Sequence, residues 1–535
     1  MSSSTEKPWF KMYPDHVKET INHPEYSLYT MLEKTVTKYK DNIGIIYDGK
    51  KITYGQMKSN VDNLAGAWHH LGLRKGSRIG LMLSNNPYYI YAYFAAMKLG
   101  LIVVQVNPNY TLRELLNILK DSTAEYLVTE EDNRTIVNQM KEMYEITVFF
   151  TKKTSENESN SISELLTINK FVRKKVPINV KDDVAVIQYT GGTSGIMKGA
   201  MLTHYNLIAN IEQTYNLYDG KMKPGKEVVL TATPLYHVYA MTSAMNFGIY
   251  TGSTIVLMEK FETNYALYLI EKYKPTFFPG VPKMYSAFVN TPNISEYNLS
   301  SLEYCSCGSA PIPIEVIKRF ETLTNAVIGE GFGLTETSPT SHRNPPGGVR
   351  KTGSVGIPIP NTDSKIVDET GKELPNGSIG ELIIKGPQVM KGYWNNLEET
   401  SKALINGWLY TGDLARQDKE GYFYVVGRKK EMIIVGGFNI FPQEVENIIY
   451  EFPDVSEAAV VGLPNESEEI VSAYVAPKCD RYIDVKELEG FCYRNLTPYK
   501  VPKRFIIVES LPRNAVGKIL KRKLIEIETK TNYKS

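Results

Sequence analysis

With only four cysteines among 535 residues, the chain has no disulfide framework. Cys305 and Cys307 form a C-x-C pair with no second pair at metal-binding spacing, and Cys479 and Cys492 stand alone, so a reducing compartment is expected. Charge of one sign is also missing. Sixty-one Lys and Arg against 59 Asp and Glu leave a net +2, which offers no field for nucleic acid or an anionic membrane. Nor is there an uninterrupted hydrophobic run. Between residues 228 and 258 the only ionisable groups are His237 and tyrosines, but Thr231, Pro234, Thr242, Asn246 and Ser253 break the stretch. It reads as buried strand, helix and buried strand rather than a membrane span. The opening MSSSTEKPWFKMYPDH lacks the apolar core of a secretory signal and the final YKS matches no address, so a cytoplasmic protein is expected. At 42% hydrophobic and 22% charged residues the composition is globular, which excludes disordered, collagen-like and coiled-coil chains.

What is present is a strand–helix alternation. Residues 43–54 predict two short strands around an Asp48–Gly49 turn, and 54–71, 88–100 and 111–122 predict helices between strands at 78–84, 102–107 and 126–130. A second series runs from 183 to about 304. Alternation of this kind implies α/β architecture, with parallel sheets covered by helices. The polar stretch 151–161 predicts a surface loop. From residue 364 to 386 the pattern changes to strands with turn signals, suggesting a β-barrel-like subdomain. The last hundred residues predict a compact α+β unit. The expected division is a large N-terminal domain, 1–429, and a small, mobile C-terminal domain, 430–535.

The segment VAVIQYTGGTSGIMKGAMLTH, residues 184–204, carries the chemistry. An apolar strand is expected to end at Thr190, followed by a loop of glycines, hydroxyl residues and Lys198. Glycines let the backbone wrap an anion while N–H groups, hydroxyls and an ammonium surround phosphate oxygens. A flexible glycine turn is the bland alternative. The Walker pattern fails, because Met197 precedes Lys198 and Gly199 follows it.

YTGGTSGIMKGAMLTH resembles the phosphate-binding signature of adenylate-forming enzymes, the superfamily of acyl-CoA synthetases, luciferase and nonribosomal adenylation domains. Further segments resemble that superfamily's motifs in order: TPLYHVYAMT, FFPGVPKMY, CGSAP, GEGFGLTET, WLYTGDLA, GRKKEMIIVGGFNIFPQEVE and LPRNAVGKILKRKL. Within it the chain looks most like bacterial-type long-chain fatty acid–CoA ligases, although Met197, Gly427 and Phe332 depart from their usual residues.

The resemblance implies roles. Thr190, Gly191, Gly192, Thr193, Ser194, Gly195 and Lys198 would cradle the ATP phosphates, and Glu336 with Thr190 would hold Mg²⁺. Gly308, Ser309 and Ala310, with Glu330, Gly331, Phe332 and Gly333, would form the adenine wall, Phe332 stacking on the base. Thr335 would contact the α-phosphate, Asp413 both ribose hydroxyls, and Arg428 the ribose or phosphates. Lys518 would bridge carboxylate and α-phosphate in adenylation. Lys430 would be the hinge, and Gly436, Gly437 and Phe438 the loop that enters the site for transfer to CoA. Otherwise Gly436–Gly437 is a hairpin turn, Glu336 a solvated loop carboxylate and Lys518 a solvated basic-tail residue. His237 either orients the acyl or thiol group or is a satisfied core histidine. Cys305 and Cys307 read as core.

The expected activity is therefore an ATP-, Mg²⁺- and CoA-dependent fatty acid–CoA ligase. Short-chain or aryl acids, transfer to a carrier protein, and a catalytically silent nucleotide sensor remain as alternatives. A fatty acid substrate would suit peripheral membrane contact, which the small net charge does not support, and the family often forms homodimers. No nucleic acid partner is expected.

Overall fold

The computed structural model describes residues 7–153, 161–168, 175–191, 197–218, 220–324, 326–435, 438–465, 468–514 and 518–532. Many helix starts are set locally. Thr53 and Gln56 close a capping box before helix Tyr54–His70, and Thr111 and Glu114 do the same before Leu112–Ser122. Asn86 caps helix Pro87–Leu99, whose first residue is a proline with no N–H to satisfy. Asp48 and Gly49 both take positive φ, 47° and 72°, and turn strand Ile43–Tyr47 back into Lys50–Thr53.

Two large sheets organise most of the chain. Among the described residues the first has nine strands, in the order Ile357–Pro358, Thr340–Arg343, Val327–Gly333, Tyr304–Cys307, Phe277–Gly280, Val228–Thr231, Thr254–Leu257, Ile43–Tyr47 and Lys50–Thr53. The six strands from Val327–Gly333 to Ile43–Tyr47 in that order are parallel, as alternation with helices requires. The second has seven: Gly392–Tyr393, Met197–Thr203, Val184–Gly191, Ile102–Gln105, Arg78–Met82, Tyr126–Thr129 and Thr147–Phe150. The largest core joins them, taking Ile45 and Val229 from the first sheet and Ile79 and Val186 from the second. Segment 228–258 folds as expected, with strands Val228–Thr231 and Thr254–Leu257 flanking helical pieces Val238–Ala240, Met241–Asn246 and Phe247–Tyr250. No described helix is long and apolar enough to cross a membrane. Of the expected loop at 151–161, residues 154–160 lie outside the described residues.

The β-barrel-like unit is an antiparallel sheet of Asp363–Val367, Gly380–Lys385, Trp408–Gln417, Leu404–Ile405 and Phe423–Arg428. From Ile433 onward the chain builds separate cores. One lies around Val445, Val460, Val475 and Leu488, the other around Leu511 and Leu524.

Gly356 joins the antiparallel sheet to the first large one through a bridge to Phe423. Its φ is +85°, and a Cβ there would lie 1.9 Å from the Arg343 carbonyl carbon. Gly353 has φ +82° but nothing within 4 Å of an added Cβ. Gly356→Ala should therefore destabilise by about 3 kcal/mol or more, adding a backbone clash to strain. Gly353→Ala should cost about 1 kcal/mol of strain alone. Denaturant midpoints check the difference, and equal shifts would refute it.

Candidate active site

Strand Val184–Gly191 turns back antiparallel into Met197–Thr203, pairing Thr190 with Lys198 and Gly191 with Met197. Lys198 thus sits on a second strand, not in a loop after a strand ending at Thr190. The reason is packing: Ala200 and Leu202 are buried on the core face, and Gly199 allows close passage, since a Cβ there would lie 2.7 Å from Ile187. Gly192, Thr193, Ser194 and Gly195 lie outside the described residues.

The Lys198 ammonium is ion-paired with Glu399 and lies 5.1 Å from the Tyr393 ring centroid. Lys198 and, second, Lys402 hold Glu399 down at about 2. Tyr393 Oη donates to Glu336 Oε1 at 2.7 Å. Glu336 itself stands in the turn Thr335–Thr337, which packs against both hairpin strands. It is therefore anchored beside the hairpin rather than being a freely solvated carboxylate. Tyr393 and Glu399 escaped the sequence reading. The only signal available was the turn-rich GYWNNLEET, which has no phosphate-loop chemistry of its own.

Asp413 and Arg428 are cross-strand partners in the antiparallel sheet, with Arg428 Nε 2.8 Å from Asp413 Oδ1. Arg428 Nη1 also donates to the Thr411 carbonyl at 3.1 Å. The Asp413 side chain is 5% exposed, and its Oδ2 is enclosed without a hydrogen-bond partner. Burial raises its pKa to about 6, against the pull of Arg428 and Lys518 and with a smaller push from Glu336. Lys518 reaches this neighbourhood from the C-terminal unit. Its backbone N–H donates to Asn514 Oδ1 at 2.9 Å, and Arg513 bridges to Ile519. The residue keeps exposed surface, yet protein mass around the ammonium lowers its pKa, with Arg428 adding to the effect and Glu431 and Asp413 opposing it.

The expected adenine wall lies on strand Val327–Gly333 and the turn after Tyr304–Cys307. Phe332 is half-buried, its ring centroid 6.0 Å from that of His342. A Cβ at Gly333 would lie 2.1 Å from the Pro339 oxygen, and one at Gly331 would lie 3.0 Å from the His342 oxygen. Burial raises Glu330 to about 7 while its carboxylate accepts from the Gly353 N–H at 3.2 Å. Gly308 lies under the Tyr239 ring, Ser309 takes φ +72°, and Ala310 follows half-buried.

His237 has its Nε2 enclosed and unpartnered, and burial lowers its pKa to about 4, so it is neutral. Cys305 and Cys307 are buried and free. Lys430 and Phe438 are exposed and not part of the Asp413–Lys518 group; the Phe438 ring stacks on Tyr499 at 4.6 Å. Gly436 and Gly437 lie outside the described residues, between strands that pair Val435 with Phe438.

This group can bind a polyanionic nucleotide. Asp413 offers a buried acceptor oxygen without a donor, as a diol requires. Thr190 and Glu336 are hard oxygen donors on adjacent elements. No group of three or more His, Cys, Asp or Glu that could hold a metal occurs among the described residues. That donor set fits Mg²⁺, which takes one or two carboxylates and completes its shell with phosphate oxygens and water.

A family model described as AMP-binding enzyme matches residues 32–394, and one described as AMP-binding enzyme C-terminal domain matches 444–518. The chain is 38% identical over 565 residues to the long-chain-fatty-acid–CoA ligase of Bacillus subtilis (strain 168), with 99% of each covered. It is 36% identical over 549 residues to the enzyme of the same name from Escherichia coli O6:H1, covering 97% of this chain and 98% of that one. The ATP-bound MatB of Rhodopseudomonas palustris matches with TM-score 0.85 at 29% identity, over 94% of this chain and 99% of its own.

Proposed function

The chain belongs to the AMP-binding enzyme family and is an AMP-forming acid–CoA ligase, and from this premise we propose that it activates a medium- or long-chain fatty acid through the residues gathered around Asp413 and Lys518. Ligases of this kind use ATP, Mg²⁺ and CoA. The observation that carries the reading is the buried Asp413, paired with Arg428 at 2.8 Å and left with an unpartnered Oδ2, with Lys518 and Glu336 within electrostatic reach of its carboxylate. The long-chain fatty acid names of relatives matched over nearly their whole length support the choice of acid.

Adenylation joins two anions, so the protein must hold them together and neutralise charge at the α-phosphate and the leaving pyrophosphate. Asp413 accepts from the ribose hydroxyls with its free Oδ2, and Arg428, braced by Asp413 and Thr411, presents its remaining N–H groups to the nucleotide. Phe332 flanks the base, with Glu330, Gly331, Gly333, Gly308, Ser309 and Ala310 around it. Lys198 exchanges Glu399 for the β- and γ-phosphates, joined by Thr193 and Ser194, while Thr335 donates to the α-phosphate. Glu336 and Thr190 would hold Mg²⁺, which would screen the charge on the phosphates. Lys518 bridges the attacking carboxylate and the α-phosphate. For the thioester step residues 430–535 act as a domain separate from 1–429. That unit turns about Lys430, withdraws Lys518 and brings Gly436, Gly437 and Phe438 to the acyl-adenylate. Neutral His237 faces the acyl end, where its free Nε2 accepts from the incoming thiol.

ATP–pyrophosphate exchange and thioester formation across acetate, octanoate, palmitate, oleate, benzoate and coumarate test the reading. Exchange and CoA thioester strongest with octanoate, palmitate or oleate support it. Preference for acetate or an aromatic acid, or exchange without thioester, overturns it.

A further inference from the structure

We propose that the acid carries a second carboxylate, distal to the one that is adenylated, and that Arg343 is the residue that binds it. Arg343 is the last residue of strand Thr340–Arg343 and is 5% exposed. Its Nε and Nη2 are enclosed without any hydrogen-bond partner. These two groups form one edge of the guanidinium, whose parallel N–H bonds match the two oxygens of a carboxylate. A buried cation with that edge vacant is costly to keep unless something planar and anionic fills it.

The surroundings are built to hold the side chain in place. Arg343 pairs with Gly331, so both project from the same face of the sheet, and Gly329 lies two residues along. A Cβ at Gly329 would lie 3.4 Å from Arg343 Nε and 3.5 Å from Nη2, so the guanidinium edge runs across backbone that carries no side chain. The guanidinium carbon is 5.0 Å from the Tyr218 ring centroid, and the Tyr218 hydroxyl is likewise buried without a partner. No carboxylate is ion-paired with Arg343 among the described residues.

This face also carries the acyl side of the reading above, on which the inference rests. The Tyr239 hydroxyl, within electrostatic reach of Arg343, lies 2.9 Å from Ser306 Oγ and donates to the Gly280 carbonyl at 3.3 Å. Tyr239 and Gly280 belong to TPLYHVYAMT and FFPGVPKMY, the segments that resemble the superfamily's acyl-pocket motifs. Thr340 pairs with Gly333, next to the adenylating end, and Arg343 stands three residues farther along the strand. A bulge lets those three residues span only Gly333 to Gly331 on the paired strand, so at about 3.4 Å per residue the separation is roughly 7 Å, the reach of a short to medium aliphatic chain. One carboxylate would meet Lys518 and the α-phosphate while the other docks on Nε and Nη2 of Arg343.

The test compares kcat/KM for octanoate and palmitate with hexanedioate, decanedioate and tetradecanedioate in the wild type, Arg343→Leu and Arg343→Lys. The wild type should prefer one of the dicarboxylates. Arg343→Leu should cut the dicarboxylate-to-monocarboxylate ratio by about 100-fold or more, because a site built to pair a polar group discriminates strongly. Arg343→Lys, a cation without the two-toothed edge, should fall between and guards against a misfolded leucine variant. A wild type that prefers monocarboxylates, with a ratio unmoved in both variants, overturns the inference and leaves the fatty acid reading standing. Exchange with neither aliphatic series overturns that reading instead.

Discussion

Lys518→Ala should lower ATP–pyrophosphate exchange by about 100- to 1,000-fold, the range found when one group that stabilises transition-state charge is removed. The group is suited to this role. Protein mass and Arg428 press the ammonium toward a lowered pKa, while Glu431 and Asp413 keep a countercharge close by. Bridging a carboxylate and a phosphate relieves that tension, and the gain grows as charge collects on the α-phosphate. The loss should therefore appear in kcat, with KM for ATP changing little. Supplied with synthetic acyl-adenylate and CoA, the same variant should still form thioester within a few-fold of wild type, because that step needs Lys518 withdrawn. A fall of less than tenfold in exchange, or an equal fall in both half-reactions, would rule out this assignment.

Asp413→Asn should raise KM for ATP and lower kcat/KM by about 10- to 100-fold, the range for losing a hydrogen bond to a charged group. The amide keeps the volume of the side chain but loses the charge that pairs with Arg428 Nε and one of two acceptor oxygens. The pH profile gives a second readout. Burial holds the carboxyl at about 6, so it takes up a proton as pH falls through that value and loses acceptor capacity for the ribose. Wild-type kcat/KM for ATP should decline between pH 7 and pH 5, a limb that the asparagine variant should lack. The effect on stability has the opposite sign. A carboxyl raised above its unfolded value binds its proton more tightly in the folded chain, so acid favours folding at this group. Weaker ATP binding near pH 5 is then not unfolding at Asp413. A profile identical in wild type and variant would show that another group sets the limb.

Much of the secondary structure was legible because it is local. The Asp48–Gly49 turn and the helix expected over 111–122 depend on near neighbours, and the structure has the turn there and a helix at Leu112–Ser122. Family likeness put Thr190, Glu336, Asp413, Arg428 and Lys518 in separate motifs; tertiary folding sets Arg428, Lys518 and Glu336 within electrostatic reach of Asp413, and the turn of Glu336 against the strand of Thr190. What pattern could not supply is pairing across long separations. Lys198 lies on a strand because Ala200 and Leu202 bury against a core assembled from two sheets. Glu399, 201 residues away, becomes its partner only when strand Gly392–Tyr393 docks on that hairpin. Arg343 reads in the chain as one more polar residue in TSHRNPP. Its meaning comes from being enclosed opposite two glycines with one edge unpaired, because the cost of an unsatisfied charge depends on what surrounds it in three dimensions.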